Sequence, residues 1–475
     1  MIRIGLVGIV ILGFNLPFFA QTDAHYWTNQ YGAKGLLLNG AVIASTEDET
    51  AIFYNPGAMG SGEEFGLSLS FLTPTYALLE TKNFLGNGTR VRDTDLGFTS
   101  GFAAVGFRLF NNDKFKGGAT TFTRFKSNLN FRGREIGRVP DEEALVFIGN
   151  IDFQRRLSER WIGFGLSYQL GNNLAVGASQ FIVFHSESTD IELTKEIVNR
   201  DAPDNLLFGW RSKLKYNFNA SGGMVTKLGL SWQPPKFKFG LTITTPTYNH
   251  IFRSASFEFD DFRKIDPNTI LVNSNLSGVP LRAYKTHWSF GFGLDFSINT
   301  KTRISFSTEY FQEIPTYTLL EDTDDPFDGF TEGDFTQEIS IRTGNKEVLN
   351  VALGVQKVLE NKSTLILGFR TDFNQRKEIE GFGDFTFLAA TPNIYHFSAG
   401  GLFLVWNNQM SLGLDYGIGQ RKNGQQLVDF SNITPSDIFS LVPADNAKSL
   451  YQSIVLVVTY DFIFKRKKKK KDRGQ

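Results

Sequence analysis

Apolar and polar residues alternate with a period of two through most of the chain, and this pattern limits the possible folds more than any other feature. The alternation is clearest in the segments 162–170, 290–297, 303–310 and 409–419. In the last of them Met410, Leu412 and Leu414 share one face, while the opposite face carries only Gln, Ser, Asp and Gly. Successive side chains point to opposite faces in a β-strand. The chain is therefore predicted to be all-β.

Short and long connections alternate between the predicted strands. The short ones are polar hairpin turns at 111–114, 171–173, 233–236, 299–301, 360–362 and 407–408. The long ones are rich in Asp, Asn, Gly and Pro and lie at about 80–96, 132–159, 188–205, 250–280, 315–347, 376–393 and 421–451. Taking 206–232 and 236–249 as one strand each, these connections join about fourteen strands.

An even number of antiparallel strands, with short turns at one end and long loops at the other, is typical of a transmembrane β-barrel of the outer membrane. Lipid cannot satisfy backbone N–H and C=O groups, so a spanning sheet must close on itself. Phe, Leu and Tyr would then face lipid, which accounts for the 47 Phe residues, and Gly, Ser and charged residues would face the lumen. A soluble secreted β-protein is the alternative, because alternation alone does not say which face is inside.

The two ends of the chain carry their own signals. Residues 1–20 have a basic Arg3, an apolar run and Ala20, as in a secretory signal peptide. The predicted last strand, 453–464, has apolar residues at alternate positions up to Phe464, which resembles the terminal signal that the barrel assembly machinery reads. Residues 465–475 form a basic tail, predicted to be periplasmic and either solvated or close to anionic lipid. The predicted domains are thus 1–20, a segment 21–64, a barrel 65–464 and the tail.

The segment 21–64 lacks strand alternation. It consists of short helical or turn pieces broken by Gly and by Asn-Pro. Its most distinctive residues are Glu47, Asp48, Phe53, Tyr54, Asn55, Pro56 and Gly57. Ahead of a barrel, such a segment either lies outside it or folds into the lumen as a plug, which a barrel of fourteen strands is wide enough to need.

This stretch resembles the FadL/TodX family of outer-membrane transporters for long-chain fatty acids and other hydrophobic compounds. Members of that family have an acidic pair followed by a Phe/Tyr-Asn-Pro-Ala-Gly element. Here the acidic pair is Glu47 and Asp48, and the element runs from Phe53 to Ala58 with Gly and Ala exchanged. The motif covers about thirty residues. The strand number counted from the connections agrees with the fourteen-stranded barrel of this family.

The resemblance implies an N-terminal hatch inside the barrel. Asn55 and Pro56 either hold this hatch or form an ordinary turn. The resemblance also implies that a hydrophobic ligand enters from outside and leaves sideways beside a kink in the third strand. That strand is predicted at about 116–131, where Gly117 and Gly118 would permit a kink. The same two glycines also suit a strand that simply starts after a tight turn.

Several classes of function find no support in the sequence. The chain has no Cys, and no nucleotide-binding, P-loop, zinc-protease or complete G-x-S-x-G motif, so no enzyme and no cofactor are expected. The five His are scattered, although His287 and Asp295 are a conceivable pair on a barrel strand. The acidic cluster Glu321–Asp328 would suit a divalent cation or, more simply, a solvated loop. The formal net charge of zero argues against a nucleic-acid partner.

The sequence therefore predicts a monomeric barrel of the Gram-negative outer membrane. Its partners would be membrane lipids and a hydrophobic small molecule, which it takes up passively. Two other functions stay open: a structural or secretion-machinery barrel, and a general porin for polar solutes. The ligand and the position of the lateral opening cannot be named from the sequence.

Overall fold

The computed structural model describes residues 24–463, apart from 47, 62–65, 71–72, 100, 110–111, 113, 267, 278–280, 282–283, 322–339, 380–390, 406–407, 425, 427–428, 432 and 440–445. The predicted signal peptide, Glu47, most of the acidic cluster, Phe464 and the basic tail lie outside the described residues. In the described part of the chain, no helix has the length and apolar character needed to cross a membrane.

The described residues form twenty strands and a few short helical turns. The strands are β1 (Gly66–Ser70), β2 (Thr73–Lys82), β3 (Arg90–Thr99), β4 (Phe102–Arg108), β5 (Phe115–Val139), β6 (Glu142–Gln169), β7 (Leu174–Asn199), β8 (Ala202–Trp232), β9 (Phe237–Thr244), β10 (Phe252–Lys264), β11 (Ile270–Ser277), β12 (Ser289–Ser297), β13 (Thr302–Phe311), β14 (Ile314–Glu321), β15 (Ser340–Asn345), β16 (Val348–Val358), β17 (Thr364–Asp372), β18 (Ile394–Val405), β19 (Asn408–Gly424) and β20 (Ala447–Ile463). The helices are α1 (Gly32–Leu37), α2 (Ala51–Tyr54) and the 3-10 helices Ala58–Ser61 and Pro435–Asp437.

Fourteen of the described strands pair antiparallel in a closed ring. Its order is β1, β4, β5, β6, β7, β8, β9, β12, β13, β16, β17, β18, β19 and β20, and β20 pairs back onto β1. The strands β2 and β3 continue β1 and β4 beyond short interruptions, and β10 and β11 extend the sheet from β8. The prediction of an antiparallel barrel of about fourteen strands is confirmed, and a single chain completes it.

The six predicted hairpin turns all join neighbouring strands of the ring. Four of the predicted loops are wrong, because more than half of 80–96, 132–159, 188–205 and 250–280 is strand. The strands β5, β6, β7 and β8 have 25, 28, 26 and 31 residues, and only tight turns at 140–141 and 200–201 interrupt them. A membrane crossing needs about ten residues, so roughly 15 to 21 residues of each strand extend beyond it.

The two halves of these long strands have opposite polarity. Toward the hairpin turns, large apolar residues such as Phe164 and Leu166 are exposed on the outside, and Gly or Ser residues such as Ser167 face inward. Toward the far end, Phe153 and Ile151 are buried inside, and charged residues such as Arg132 and Asp152 face outward. The second pattern is that of a sheet in water. Its many charges explain why the sequence pattern of these segments predicts loops.

The exposed apolar residues form a belt around the ring. On the side opposite the long strands the belt includes Phe290, Leu294, Ile304, Leu353, Leu367, Phe397, Leu412, Leu414 and Ile454, each at least 40 % exposed. A surface this apolar is stable only in a lipid bilayer. The molecule is thus a transmembrane β-barrel in which the long strands β5, β6, β7 and β8 form one tall wall.

The belt predicts a difference between two outward-facing positions. Leu414→Lys, near the middle of the belt in β19, should cost about 2–4 kcal/mol of unfolding free energy in lipid vesicles. Asn219→Lys, on the outer face of β8 beyond the belt, should cost less than about 0.5 kcal/mol. Denaturant unfolding from vesicles measures both values, and equal costs would contradict the placement of the belt.

Candidate functional site

The N-terminal segment, residues 24–61 without 47, lies within the ring and bonds to strands on both sides of it. Asn55 Nδ2 donates a hydrogen bond to the Leu230 carbonyl in β8 (3.0 Å). On the far side, Ser398 Oγ in β18 donates to the Leu37 carbonyl (2.7 Å). Five ring strands separate β8 from β18 in one direction and seven in the other. The segment therefore crosses the lumen from wall to wall.

Glycines in the wall make room for this segment. A Cβ atom at Gly229 would overlap the Asn55 side chain, and one at Gly240 would overlap the Ile43 carbonyl. Close approach of two backbones requires residues without side chains. Part of the unusual glycine content of the chain is thus explained by the fit between wall and segment.

Most residues of the family-like motif serve to fix this segment. Asp48 Oδ1 accepts the N–H of Thr50 (3.0 Å) just before α2. The Tyr54 hydroxyl donates to Gln30 Oε1 (2.9 Å) and accepts the Tyr31 N–H (2.8 Å). Phe53 differs from the others because its ring lines a cavity.

Asn55 is the most connected residue of the motif. Besides Leu230, its Nδ2 donates to the Ile43 carbonyl (2.8 Å), and its Oδ1 accepts the Gly57 N–H (3.0 Å). The last bond closes a turn around Pro56. The two roles considered for Asn55, an ordinary turn and attachment to the wall, therefore coexist in one side chain.

A cavity of about 160 Å³ lies above the N-terminal segment, on the side of the tall wall. Its aromatic lining includes Tyr26, Phe53, Phe125, Trp161, Phe218 and Phe311. Its described lining also contains seven Lys or Arg residues against three Glu. The site is therefore both apolar and electropositive.

Arg124 and Lys227 are the cations at the centre of this lining. Both are at least 93 % buried, and both lie over the Phe53 ring, with Arg124 Cζ 5.5 Å and Lys227 Nζ 5.0 Å from its centroid. Among the described residues, no carboxylate oxygen approaches either cation within 4 Å. A buried charge without a counter-ion is costly. The pair is therefore suited to an anionic group of a ligand.

The three glutamates of the cavity are already engaged. Glu159 accepts hydrogen bonds from Trp161 Nε1 (2.8 Å) and the Tyr284 hydroxyl (2.9 Å). Glu187 pairs with Arg155 (2.8 Å), and Glu309 Oε2 accepts from Trp27 Nε1 (2.8 Å). These bonds hold the carboxylates in place, and Glu309 attracts Lys227 only from beyond salt-bridge distance.

Arg124 and Lys227 are not among the site residues predicted from the sequence. One sequence feature could have identified Lys227: it is a cation at a lumen-facing position of a strand whose other inward residues are small or apolar. In β8 the inward positions around Lys227 are Val225, Gly229 and Ser231. Finding it required the strand register, which alternation alone does not supply.

The other predicted site residues lie elsewhere. His287 lines the cavity and contacts Asn345 and Tyr26, whereas Asp295 lies eight residues further along, bonded to Ser305. Eight residues of extended chain span roughly 26 Å, so the two do not form a pair. In the part of the chain that the structure describes, no group of three His, Asp or Glu residues could hold a metal ion.

The third strand of the barrel is irregular, but not at the predicted place. Gly117 and Gly118 lie near the start of β5 and are paired in register with both neighbours, so the ladder is regular there. A Cβ at Gly118 would meet Ile52 of the N-terminal segment, which accounts for the glycine. The irregularity is at Arg124, where the register between β5 and β6 shifts.

The same place marks a break in the ladder on the other edge of β5. Among the described residues, the pairing of β4 with β5 ends at Phe102 and Phe122, and β3 forms a ladder only with β2. Inside the break, the Tyr31 ring lies 5.4 Å from that of Phe102 and 4.8 Å from that of Phe122. Arg124 thus faces the cavity directly beside an interruption of the wall.

Several solved structures share this fold. A FadL homologue from Pseudomonas aeruginosa is 11 % identical, with 92 % of this chain and 99 % of that chain covered and a TM-score of 0.58. The toluene transporter TodX from P. putida is 14 % identical, with 92 % and 99 % covered and a TM-score of 0.55. The monoaromatic hydrocarbon channel CymD is 14 % identical, with 92 % and 98 % covered and a TM-score of 0.53.

These matches show the fold that the motif resemblance implied: the chain has the architecture of the FadL/TodX channels. Two of these solved structures are described as a toluene transporter and a monoaromatic hydrocarbon channel. No protein-family model matches the chain. No curated protein matches it either.

The bonds of Asn55 lead to a prediction about the N-terminal segment. Asn55→Ala should destabilise the packing of this segment by about 1–3 kcal/mol, because buried carbonyls lose their donor. Hydrogen exchange of the amides around residues 43–57 should speed up accordingly. Asn217→Ala, which removes one long bond to Ser256 on the outer wall (3.4 Å), should leave that exchange unchanged. Unaltered exchange in Asn55→Ala would contradict this role.

Proposed function

We propose that the protein is an outer-membrane channel for the passive uptake of hydrophobic small molecules that carry a carboxylate, such as long-chain fatty acids. The observation that supports this best is the pair of buried cations, Arg124 and Lys227, in an aromatic cavity with no carboxylate within 4 Å among the described residues. The apolar belt and the shared channel fold support the location in the membrane.

The positive charge separates this ligand class from neutral hydrocarbons. A carboxylate would lie between Arg124 and Lys227 in charge-assisted hydrogen bonds, and the alkyl chain would follow the aromatic lining. A neutral hydrocarbon would leave both cations without a carboxylate within 4 Å. The cavity is therefore better matched to an acid than to toluene, although the fold is shared with a toluene transporter.

The N-terminal segment acts in this proposal as a hatch that closes the straight route through the lumen. The ligand instead leaves the cavity sideways at the break between β3 and β5, next to Arg124 and Phe122. An apolar chain is stable in the bilayer, so a lateral exit never exposes it to water. The crossing segment also argues against a general porin.

Removal of the cations tests the ligand class. Lys227→Gln and Arg124→Gln should each weaken the binding of oleate to the purified protein by about tenfold or more, since each removes a charged hydrogen bond. Binding of the methyl ester of oleate should change by less than about twofold. Lys215→Gln on the outer wall is the matched control. Equal losses for acid and ester would contradict the proposal.

An engineered disulfide between the N-terminal segment and the wall tests the lateral route. Because the chain has no native Cys, the two introduced Cys residues can pair only with each other. The Cβ of Ala41 lies 3.5 Å from the position of a Cβ built on Gly354 in β16, within the range of disulfide geometry. The end of the Leu38 side chain, 2.6 Å from that position, must rotate away. Oxidised Ala41→Cys/Gly354→Cys should transport oleate into vesicles at the rate of its reduced form. Arrest that is reversed by reduction would show that the hatch has to move.

A further inference from the structure

Two rows of polar side chains cross the outer face of the tall wall just beyond the apolar belt. One row is Lys126, Ser158, Ser186, Asn219 and Ser254, and the next is Asn128, Arg156, Ser188, Asn217 and Ser256. Each row follows directly opposed residues through β5, β6, β7, β8 and β10. With Arg160, one outward position below Ser158, these residues are called the headgroup patch here.

The patch lies at a defined depth. On β7 the outward residues Ile182 and Phe184 are 42 % and 41 % exposed and belong to the belt, and the next outward residue is Ser186 of the patch. Acyl chains cover the belt, so the groups immediately beyond it meet lipid headgroups. The patch is therefore at headgroup level on the side of the membrane that the tall wall reaches.

The charges of the patch have one sign. Lys126 is directly opposite Ser158, whose outward neighbours along β6 are Arg156 and Arg160. Diagonal neighbours in such a ladder are about 7–8 Å apart, so the three cations form one cluster. None of the other residues of the patch is acidic.

The wall above the patch is different. There, outward charges of opposite sign face each other, as in Arg132 with Asp152 (2.7 Å) and Lys213 with Glu258 (3.1 Å). Those pairs balance one another across the strands. The change from balanced pairs to a cationic cluster among Ser and Asn occurs only at the level of the headgroups.

The chemistry of the patch fits one occupant. Lysine and arginine bind phosphate through charge-assisted hydrogen bonds, and clusters of them next to a membrane attract anionic lipids. The amides and hydroxyls of the two rows offer many donors and acceptors to the hydroxyl groups of a sugar. We propose that the headgroup patch binds the phosphorylated sugar headgroup of a glycolipid, whose acyl chains lie along the adjoining belt.

The site is distinct from the ligand cavity, because it is on the outer face of the same strands. It rests on the membrane-spanning fold and not on the proposed transport. The patch also borders the register shift at Arg124, so the bound lipid lies beside the break between β3 and β5. Its acyl chains would form part of the surface that a departing ligand meets.

Native mass spectrometry of the purified full-length protein with diphosphoryl lipid A tests the proposal. The triple variant Lys126→Gln/Arg156→Gln/Arg160→Gln should bind this lipid at least tenfold more weakly than the wild type. Arg134→Gln/Arg138→Gln/Arg211→Gln removes the same charge from outward positions higher on the wall and should change binding less than twofold. Equal losses in the two triples, or no loss in the first, would overturn the proposal.

Three further measurements make the test specific. Lipid A without its phosphates should bind to the wild type as weakly as intact lipid A binds to the first triple variant. If the wild type bound both forms of lipid A equally tightly, recognition of the phosphates would be excluded. Inorganic phosphate at the concentration of the lipid should not displace it; displacement would exclude a lipid as the occupant. Lys126→Arg/Arg156→Lys/Arg160→Lys, which keeps the charge, should bind like the wild type and separates loss of charge from misfolding.

Discussion

Backbone hydrogen bonding in lipid is the constraint on which the rest of this structure depends. A strand in the hydrocarbon layer has no water to bond, so each N–H and C=O must find a partner within the sheet. The closed ring from β1 to β20 satisfies this requirement almost everywhere. The interruption between β3 and β5 is consequently the place where the wall is least constrained, and the structure positions Arg124 and the cavity next to it.

Closure also creates a lumen that must be filled. The N-terminal segment fills it by direct contact of its backbone with wall glycines, and Asn55 bonds both to the segment and to β8. Above the segment the wall carries aromatic rings and cations instead of glycine. The inward-facing positions of the wall thus serve two purposes. Glycines next to the N-terminal segment allow tight packing, and larger side chains above the segment line the cavity.

The sequence predicted much of this fold but little of the site. Alternation with period two and the six polar turns were enough for the strand number, because both are local properties. The tall wall was missed, since Arg132, Asp152 and Glu192 made its strands look like loops. Lys227 and Arg124 were missed because they act through their distance to Phe53, and this distance is set by strand register and by a shift at one residue.

The reversal of polarity along the long strands has a consequence for how the molecule sits in the bilayer. On β7 the outer face is apolar up to Phe184 and hydrophilic from Ser186, and on the neighbouring β6 the change comes one outward position lower, at Arg160 opposite Phe184. Vertical displacement in either direction would bring charges into hydrocarbon or apolar residues into water. The barrel is therefore held at a fixed height, and the break beside Arg124 opens at one constant depth of the membrane.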